Sequence, residues 1–161
     1  MTRRHSLLVI GRAYTPPIRF PRCDATWTTL STVVHDPAIQ LIPDLLVWDC
    51  HKKPADAPDI PVYDLRDDLD KWGALVAHRG RTFANQLCYM LADVGTDTSS
   101  FASVTLLGCQ FADPAWRHEA QYIAYHLGYL RAKGVAYTII PPSDILPPFT
   151  YAMEDHYAKS V

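Results

Sequence analysis

Residues 103–142 decide the fold, and they read SVTLLGCQFADPAWRHEAQYIAYHLGYLRAKGVAYTIIPP. The apolar run that opens this stretch ends at Gly108, which is typical of a strand buried on both faces. Asp113 and Pro114 supply a preferred N-cap and a preferred first helical residue, and apolar residues then recur at helical spacing until Gly134 stops the helix. A second apolar run follows and ends at two prolines. Strand, helix and strand with short joints predict a βαβ crossover and therefore a parallel sheet.

Outside this stretch the alternation of strands and helices continues. Short apolar runs predict strands at 6–10, 45–48 and 60–63. Helical periodicity predicts helices over 24–35, whose first residue is a preferred N-cap, and over 83–94. The inward residues predicted for the first of these helices are Trp27, Leu30, Val33 and Val34.

Together these elements predict a single α/β domain over residues 1–161. Its centre is a doubly wound, Rossmann-like and mostly parallel sheet of five strands with helices on both faces. We expect the first strand in the middle, with the switch point of the sheet beside Gly11 and Gly108. Ligands of such sheets bind beyond the carboxyl ends of the strands. The tail, residues 145–161, is expected to pack across this edge.

Composition and charge exclude several classes of protein. A formal net charge of −2 provides no general attraction to nucleic acid or to membranes. No apolar run approaches membrane-spanning length, and the first one stops at Gly11, too early for a signal peptide, so we expect a cytoplasmic protein. Four cysteines without close pairing fit reduced thiols.

The loop after the first strand carries neither a Rossmann dinucleotide fingerprint nor a P-loop. A phosphate could still bind the free amides after Gly11, helped by Arg12, Arg19 or Arg22. Alternatively, Gly11 only makes a tight turn and the arginines are solvated. The sequence leaves both interpretations open.

Two polar residues follow the strand predicted at 45–48. Asp49 is placed to hold a pair of ribose hydroxyls, and His51 could contact a phosphate or transfer a proton. The alternative is an ordinary polar strand end. Their occurrence together at one predicted edge is what favours a ligand.

More polar residues gather where the long helix begins. Arg117 and Glu119 lie in its first turns, and Gln110 and Ser143 come from the ends of the two flanking strands. A carboxylate near a helix N-terminus also complements the helix dipole, so a structural role for Glu119 remains possible. The predicted ligand-binding residues are Gly11, Arg12, Asp49, His51, Gln110, Arg117, Glu119 and Ser143.

Two further patterns concern metal and partners. Cys23, Cys50, His51 and Cys109 are all expected in loops at the ligand edge, but none has the short pairwise spacing of a zinc site, so no metal is predicted.

The long helix also carries a stripe of tyrosines at spacings of three and four. This stripe predicts a surface that binds the same helix of a second subunit in a homodimer, unless the tail covers it. The three tyrosines are Tyr122, Tyr125 and Tyr129.

The chain resembles a group of small Rossmann-like proteins of bacteriophages and prophages, which are distantly similar to archaeal-type hydroxymethylpterin diphosphokinases. The matching pieces are residues 9–13, 25–30, 48–51, 82–85, 89–92, 107–110, 117–119, 127–129, 133–135, 140–143 and 151–154. The resemblance implies a nucleotide-like ligand at the carboxyl edge, lined by Gly11, Asp49, His51, Gln110, Glu119 and Ser143. In this chain, residues 14–17 replace the glycine- and serine-containing turn usual in the group, which favours binding over diphosphokinase chemistry.

Three functions follow from these patterns. The first is a binding protein that holds a nucleotide or cyclic nucleotide, and the phage resemblance implies that it could sequester a host defence signal in the host cytoplasm. The second is a phosphoryl- or sugar-nucleotide-transfer enzyme with Asp49 or Glu119 as base or Mg²⁺ ligand and His51 as acid or base. The third is an interaction module that uses the tyrosine stripe.

Overall fold

The computed structural model describes residues 4–49, 58–65, 83–111, 117–143 and 145, with the backbone alone at 83–85. The strands in these residues are β1 (His5–Ile10), β2 (Ala25–Thr29), β3 (Leu45–Asp49), β4 (Val62–Asp64), β5 (Phe101–Leu107) and β6 (Ala136–Ile140). The helices are α1 (Leu30–His35), α2 (Phe83–Thr96) and α3 (Ala120–Ala132), with 3₁₀ turns at Pro37–Leu41 and Arg117–Glu119. None of the described helices is both long and apolar enough to cross a bilayer.

The six described strands form one sheet in the order β4-β3-β2-β1-β5-β6, and every neighbouring pair is parallel. β1 lies inside the sheet between β2 and β5, and its last four residues, 7–10, are completely buried. The predicted doubly wound, Rossmann-like α/β fold with the first strand in the middle is therefore confirmed. The sheet has six described strands where the sequence predicted five.

The additional strand is β2, and the helix predicted over 24–35 is wrong in its first half. Residues 25–29 form a parallel strand beside β1, and only 30–35 are helical. Asp24 does not cap a helix, because its carboxylate accepts hydrogen bonds from the backbone amide and hydroxyl of Ser6 at 2.7 and 2.8 Å. Val34, predicted to face inward, is 59% exposed. The threonines and tryptophan of β2 are residues that favour a pleated, half-buried surface over a helix.

Helices cover the two faces of the sheet differently. α2 and α3 pack together on one face, over a core cluster that includes Trp27, Leu91 and Ile123. On the opposite face α1 contacts β2 and β3, and a second cluster joins Leu30 to Ile10 of β1. The helix face predicted for α2 is confirmed where side chains are described, since its residues 87, 90, 91 and 94 are all buried.

The end of α3 follows the sequence prediction at Gly134. This residue has a φ of +78°, and its amide donates to the carbonyl of Arg131 at 3.0 Å. The amide of Val135 donates to the carbonyl of Leu130, also at 3.0 Å, which completes a Schellman motif. Both Leu130 and Val135 are buried. The turn that ends α3 therefore also packs against the core and leads directly into β6.

Some predictions fall outside the described residues. These are the N-cap at Asp113, His51 and Cys50 after β3, and the tail beyond Ile145. Ile145 itself is buried in the core cluster under α2 and α3.

Candidate functional site

The strands end at the carboxyl edge of the sheet, and the helices α2 and α3 begin there. α2 leads from β4 to β5 and α3 leads from β5 to β6, and all these strands are parallel, so both helices must begin at the carboxyl edge. The chain moves outward from β1 through β2, β3 and β4, and then continues on the other side of β1 with β5 and β6. The switch point therefore lies between the ends of β1 and β5, where ligands of this fold class bind.

At the switch point the two strand ends touch through glycines. Gly108 has a φ of +67°, and a β-carbon at this residue would collide with the carbonyl oxygen of Gly11. The Gly11 amide donates to the carbonyl of Leu107 at 2.8 Å, and the Ala13 amide donates to the carbonyl of Gly108 at 2.9 Å. Of the amides after Gly11, which the phosphate hypothesis would use, those of Ala13 and Tyr14 are thus already hydrogen-bonded within the chain. The side chain of Arg12, between Gly11 and Ala13, is exposed.

Ser143 connects the ends of β5 and β6. Its hydroxyl accepts a hydrogen bond from the amide of Cys109 and donates one to the carbonyl of Leu106, both at 3.1 Å. The hydroxyl of Ser143 is therefore hydrogen-bonded to two backbone groups at the end of β5. Ser143 lies at the predicted edge, and its hydroxyl has a structural role there.

Two buried cysteines lie near this part of the edge. Burial raises the pKa of the Cys109 thiol to about 12, against the opposing effect of backbone groups of Gly11 and Leu107. Burial also raises the pKa of Cys88 in α2 to about 12, and the negative charge of Glu119 adds to this effect. Both thiols are therefore protonated at neutral pH and are poor nucleophiles and poor metal ligands.

The same electrostatic contact places Glu119 beside α2. Glu119 ends the 3₁₀ turn that precedes α3, and only 3% of its surface is exposed. Gln86, in the first turn of α2, is also buried. The starts of α2 and α3 thus each bury a polar side chain, the amide of Gln86 and the carboxylate of Glu119. Sequence reasoning had selected Glu119 and had missed Gln86.

Asp49 ends β3 and is buried, with 7% of its surface exposed. The sequence predicted it at the end of the second strand along the chain, but the structure has β2 before that strand and between it and β1. Asp49 pairs in register with Asp64 of β4, so two carboxylates stand side by side at this end of the sheet. Asp64 was missed because β4 was predicted to end before it.

The predicted residues share one edge but form two groups. Neighbouring strands are about 4.8 Å apart, so Asp49 lies about 10 Å from the end of β1 and about 19 Å from the end of β6. Gly11, Gln110, Ser143 and Glu119 belong to the switch-point end of the edge. Asp49 and Asp64 form the other group, which we call the β3–β4 carboxylates. The side chains of Arg12, Gln110 and Arg117 are exposed, and His51 lies outside the described residues.

Between these groups, β2 continues directly into α1, and hydrogen-bonded hydroxyl groups lie at the junction. The hydroxyl of Thr29 is hydrogen-bonded to those of Ser31 at 3.0 Å and Thr32 at 2.9 Å. Ser31 is exposed, whereas the two threonines are buried. Sequence reasoning missed this hydroxyl cluster because it assigned the whole segment to one helix. The run of threonine and serine was the signal that could have found it.

The loop after β1 is fixed by a buried contact with the segment after α1. The hydroxyl of Tyr14 donates to the carboxylate of Asp36 at 2.9 Å, and a second carboxylate oxygen of Asp36 accepts from the amide of Ala38 at 3.1 Å. The ring nitrogen Nε2 of His35 lies 2.9 Å from the carbonyl oxygen of Tyr14. Tyr14, the first of the residues that replace the expected glycine- and serine-containing turn, thus anchors the loop to the end of α1 and the segment after it.

The zinc hypothesis places Cys23 and Cys109 at the same edge, and the structure separates them. Cys23 precedes β2 and therefore lies at the amino edge, whereas Cys109 follows β5 at the carboxyl edge. Within the described part of the chain, no three His, Cys, Asp or Glu side chains are grouped so that they could hold a metal ion.

The tyrosine stripe on α3 is exposed only at Tyr125, which is 61% accessible. Tyr122 packs against the core cluster under α2 and α3. Tyr129 lies over α2, so close to Gly95 that a β-carbon there would come within 2.8 Å of its ring. A small hollow lies between α2 and α3 and is lined by Ala92, Tyr125, His126 and Tyr129. Two of the three predicted interface residues are therefore used in packing within the chain.

Comparisons of the chain with family models, with curated proteins and with solved structures find no match.

Proposed function

We propose that this protein binds a nucleotide or nucleotide-derived small molecule along the carboxyl edge of its sheet. The observation that carries the proposal is the position of two buried carboxylates, Asp49 and Glu119, at this edge of a doubly wound parallel sheet. Ligands of open α/β sheets bind beyond the carboxyl ends of the strands, so carboxylates at this edge are candidates to contact one. Carboxylates accept hydrogen bonds, so they suit a ligand rich in hydroxyl or amino groups, such as a ribose or a base.

The charges at the edge fit the two ends of a nucleotide. The β3–β4 carboxylates offer acceptors to sugar hydroxyls, about 10 Å from the end of β1. At the switch point, the exposed side chains of Arg12 and Arg117 offer donors to a phosphate. The starts of α2 and α3 also point their partial positive charge at this edge. The ligand would therefore lie across the ends of β1, β2 and β3.

Calorimetric titration with a panel of mono-, di- and cyclic nucleotides tests the proposal. Loss of a hydrogen bond to a charged group costs about 1.5–3 kcal/mol, so Asp49→Asn or Glu119→Gln should weaken binding by about 10- to 100-fold. Asp44→Asn is the matched control. It removes one charge from an exposed residue at the amino edge, and asparagine tolerates the φ of 55° at that position. Absence of binding across the whole panel would reject the proposal.

The register pair Asp49 and Asp64 favours a second candidate, a phosphoryl- or sugar-nucleotide-transfer enzyme that uses Mg²⁺. Product formation from a nucleotide that depends on Mg²⁺ and is lost in Asp64→Asn would support it. Nucleotide binding without turnover in the presence of Mg²⁺ would reject the enzyme and support binding as the function.

A further inference from the structure

The two outer strands of the sheet differ in how their edges are protected. β4 has only three residues, follows Pro61 and ends in Asp64. Short length, proline and charge are the devices by which proteins prevent an edge strand from pairing with another chain. The β4 edge is thus protected against pairing with another chain.

β6 is less protected. It has five residues, Ala136–Ile140, of which none is charged and none is proline, and three are β-branched, and Pro141 and Pro142 come only after the strand. In the described part of the chain, the backbone of residues 136–139 is hydrogen-bonded only to β5. An uncharged edge strand of this length is a template for another strand.

Two residues of β6 are also exposed on one face of the sheet. Ala136 and Thr138 of β6 are exposed on the face opposite α2 and α3. On that face, α1 contacts β2 and β3, at the other side of the sheet. A chain that pairs with β6 therefore meets no obstacle from the described helices on this face.

We propose that β6 pairs with β6 of a second copy of this chain, antiparallel about a two-fold axis that passes beside Thr138. The inference goes beyond nucleotide binding and does not depend on it. With the axis perpendicular to the sheet, α2 and α3 of both copies stay on the same side. The sheet then continues through both copies, and both β6 edges are satisfied.

The side chains of β6 are self-complementary in this register. Thr138 faces Thr138 of the second copy, and Tyr137 faces Ile139 of the second copy. Ala136 faces Ile140 of the second copy, so a small residue meets a large one. Thr–Thr pairs and pairs of an aromatic with a β-branched residue are among the favourable cross-strand pairs, and no like charges oppose each other. A second copy therefore fits this edge better than a partner of arbitrary sequence.

Sedimentation velocity of the full chain and of Thr138→Lys tests the proposal. Two lysines at the two-fold axis would repel each other, so the dissociation constant of the dimer should rise at least about 10-fold. The matched control is Val34→Lys, which adds the same charge at an exposed position on α1. Circular dichroism establishes that each variant is folded.

Cross-linking provides a second test that does not rely on destabilising the interface. In a Cys23→Ser, Cys50→Ser background, Thr138→Cys should form a covalent dimer with a short bismaleimide, whereas Val34→Cys should not, because only residue 138 meets its own copy. A parent chain that sediments as a monomer would overturn the proposal. So would a dimer that is unchanged by Thr138→Lys and is not cross-linked through residue 138.

Discussion

The carbonyl oxygen of Gly11 occupies the space that a β-carbon at residue 108 would need. This contact joins the ends of the neighbouring strands β1 and β5. It explains why the apolar run of β5 must end in glycine, and it closes the turn over which the proposed ligand would lie.

Gly108→Ala should therefore destabilise the protein by about 1–3 kcal/mol, because the new methyl group meets backbone and the left-handed φ is strained. Gly128→Ala is the control. Gly128 lies within α3, and a β-carbon there would meet no atom within 4 Å, so alanine should stabilise the protein by about 0.5–1 kcal/mol. Urea denaturation measures both changes. Equal effects of the two substitutions would contradict the close approach of the two strand ends.

Ser143→Ala should lower the free energy of unfolding by about 1–2 kcal/mol, because the amide of Cys109 and the carbonyl of Leu106 lose their common partner. Ser103→Ala, in the same strand β5, is the control, since its half-buried hydroxyl has no hydrogen-bond partner among the described residues and should change stability little. Nucleotide affinity should stay the same in both variants. A loss of affinity at unchanged stability would instead give Ser143 the ligand-binding role that the sequence suggested.

Tyr14 should make the protein sensitive to alkali. Burial, followed by the hydrogen bond to Asp36 and its charge, raises the pKa of Tyr14 above its ordinary value of 10.0. Above about pH 10 the unfolded chain loses the tyrosine proton while the folded chain keeps it, so stability falls as the pH rises. Tyr14→Phe should be less stable at neutral pH, because Asp36 loses a donor, but its stability should decline less steeply in alkali. Parallel declines in parent and variant would contradict this assignment.

His126 should make the protein sensitive to acid. Burial lowers the pKa of His126 from 6.5 to about 4, so within this window the unfolded chain takes up a proton that the folded chain does not. Stability should therefore fall as the pH drops through the window, by about 1–3 kcal/mol in total. In His126→Gln this part of the pH dependence should disappear, which urea denaturation at neutral pH and at about pH 5 can measure. An unchanged pH dependence in the variant would show that other groups cause it.

Much of the fold could be predicted from local pattern. The buried run of β1, the helix α3 and its stop at Gly134 each depend on neighbouring residues, and all three agree with the structure. β2 was missed because its apolar residues also fit a helical spacing and Asp24 resembles an N-cap. The deciding contact, between Asp24 and Ser6, joins residues that are far apart in the sequence.

That single error displaced part of the predicted site. Without β2, Asp49 would lie on the strand beside β1, but in the structure it is one strand farther out and next to Asp64. The predicted strand ends were enough to bring Asp49 and Gln110 to the carboxyl edge, whereas the missed β2 wrongly brought Cys23 there as well. Whether a polar group there is available to a ligand depends on long-range contacts such as that of Ser143 with Cys109, which no local pattern contains.

Native mass spectrometry of the freshly purified protein shows whether a nucleotide-like molecule is bound. We expect a bound species that has the mass and ultraviolet absorption of a nucleotide derivative, and we expect Glu119→Gln and Asp49→Asn to reduce its occupancy while Asp44→Asn does not. Occupancy that is the same in all three variants, or a protein that carries no such ligand and takes up none from the nucleotide panel, would contradict the proposed binding at the carboxyl edge.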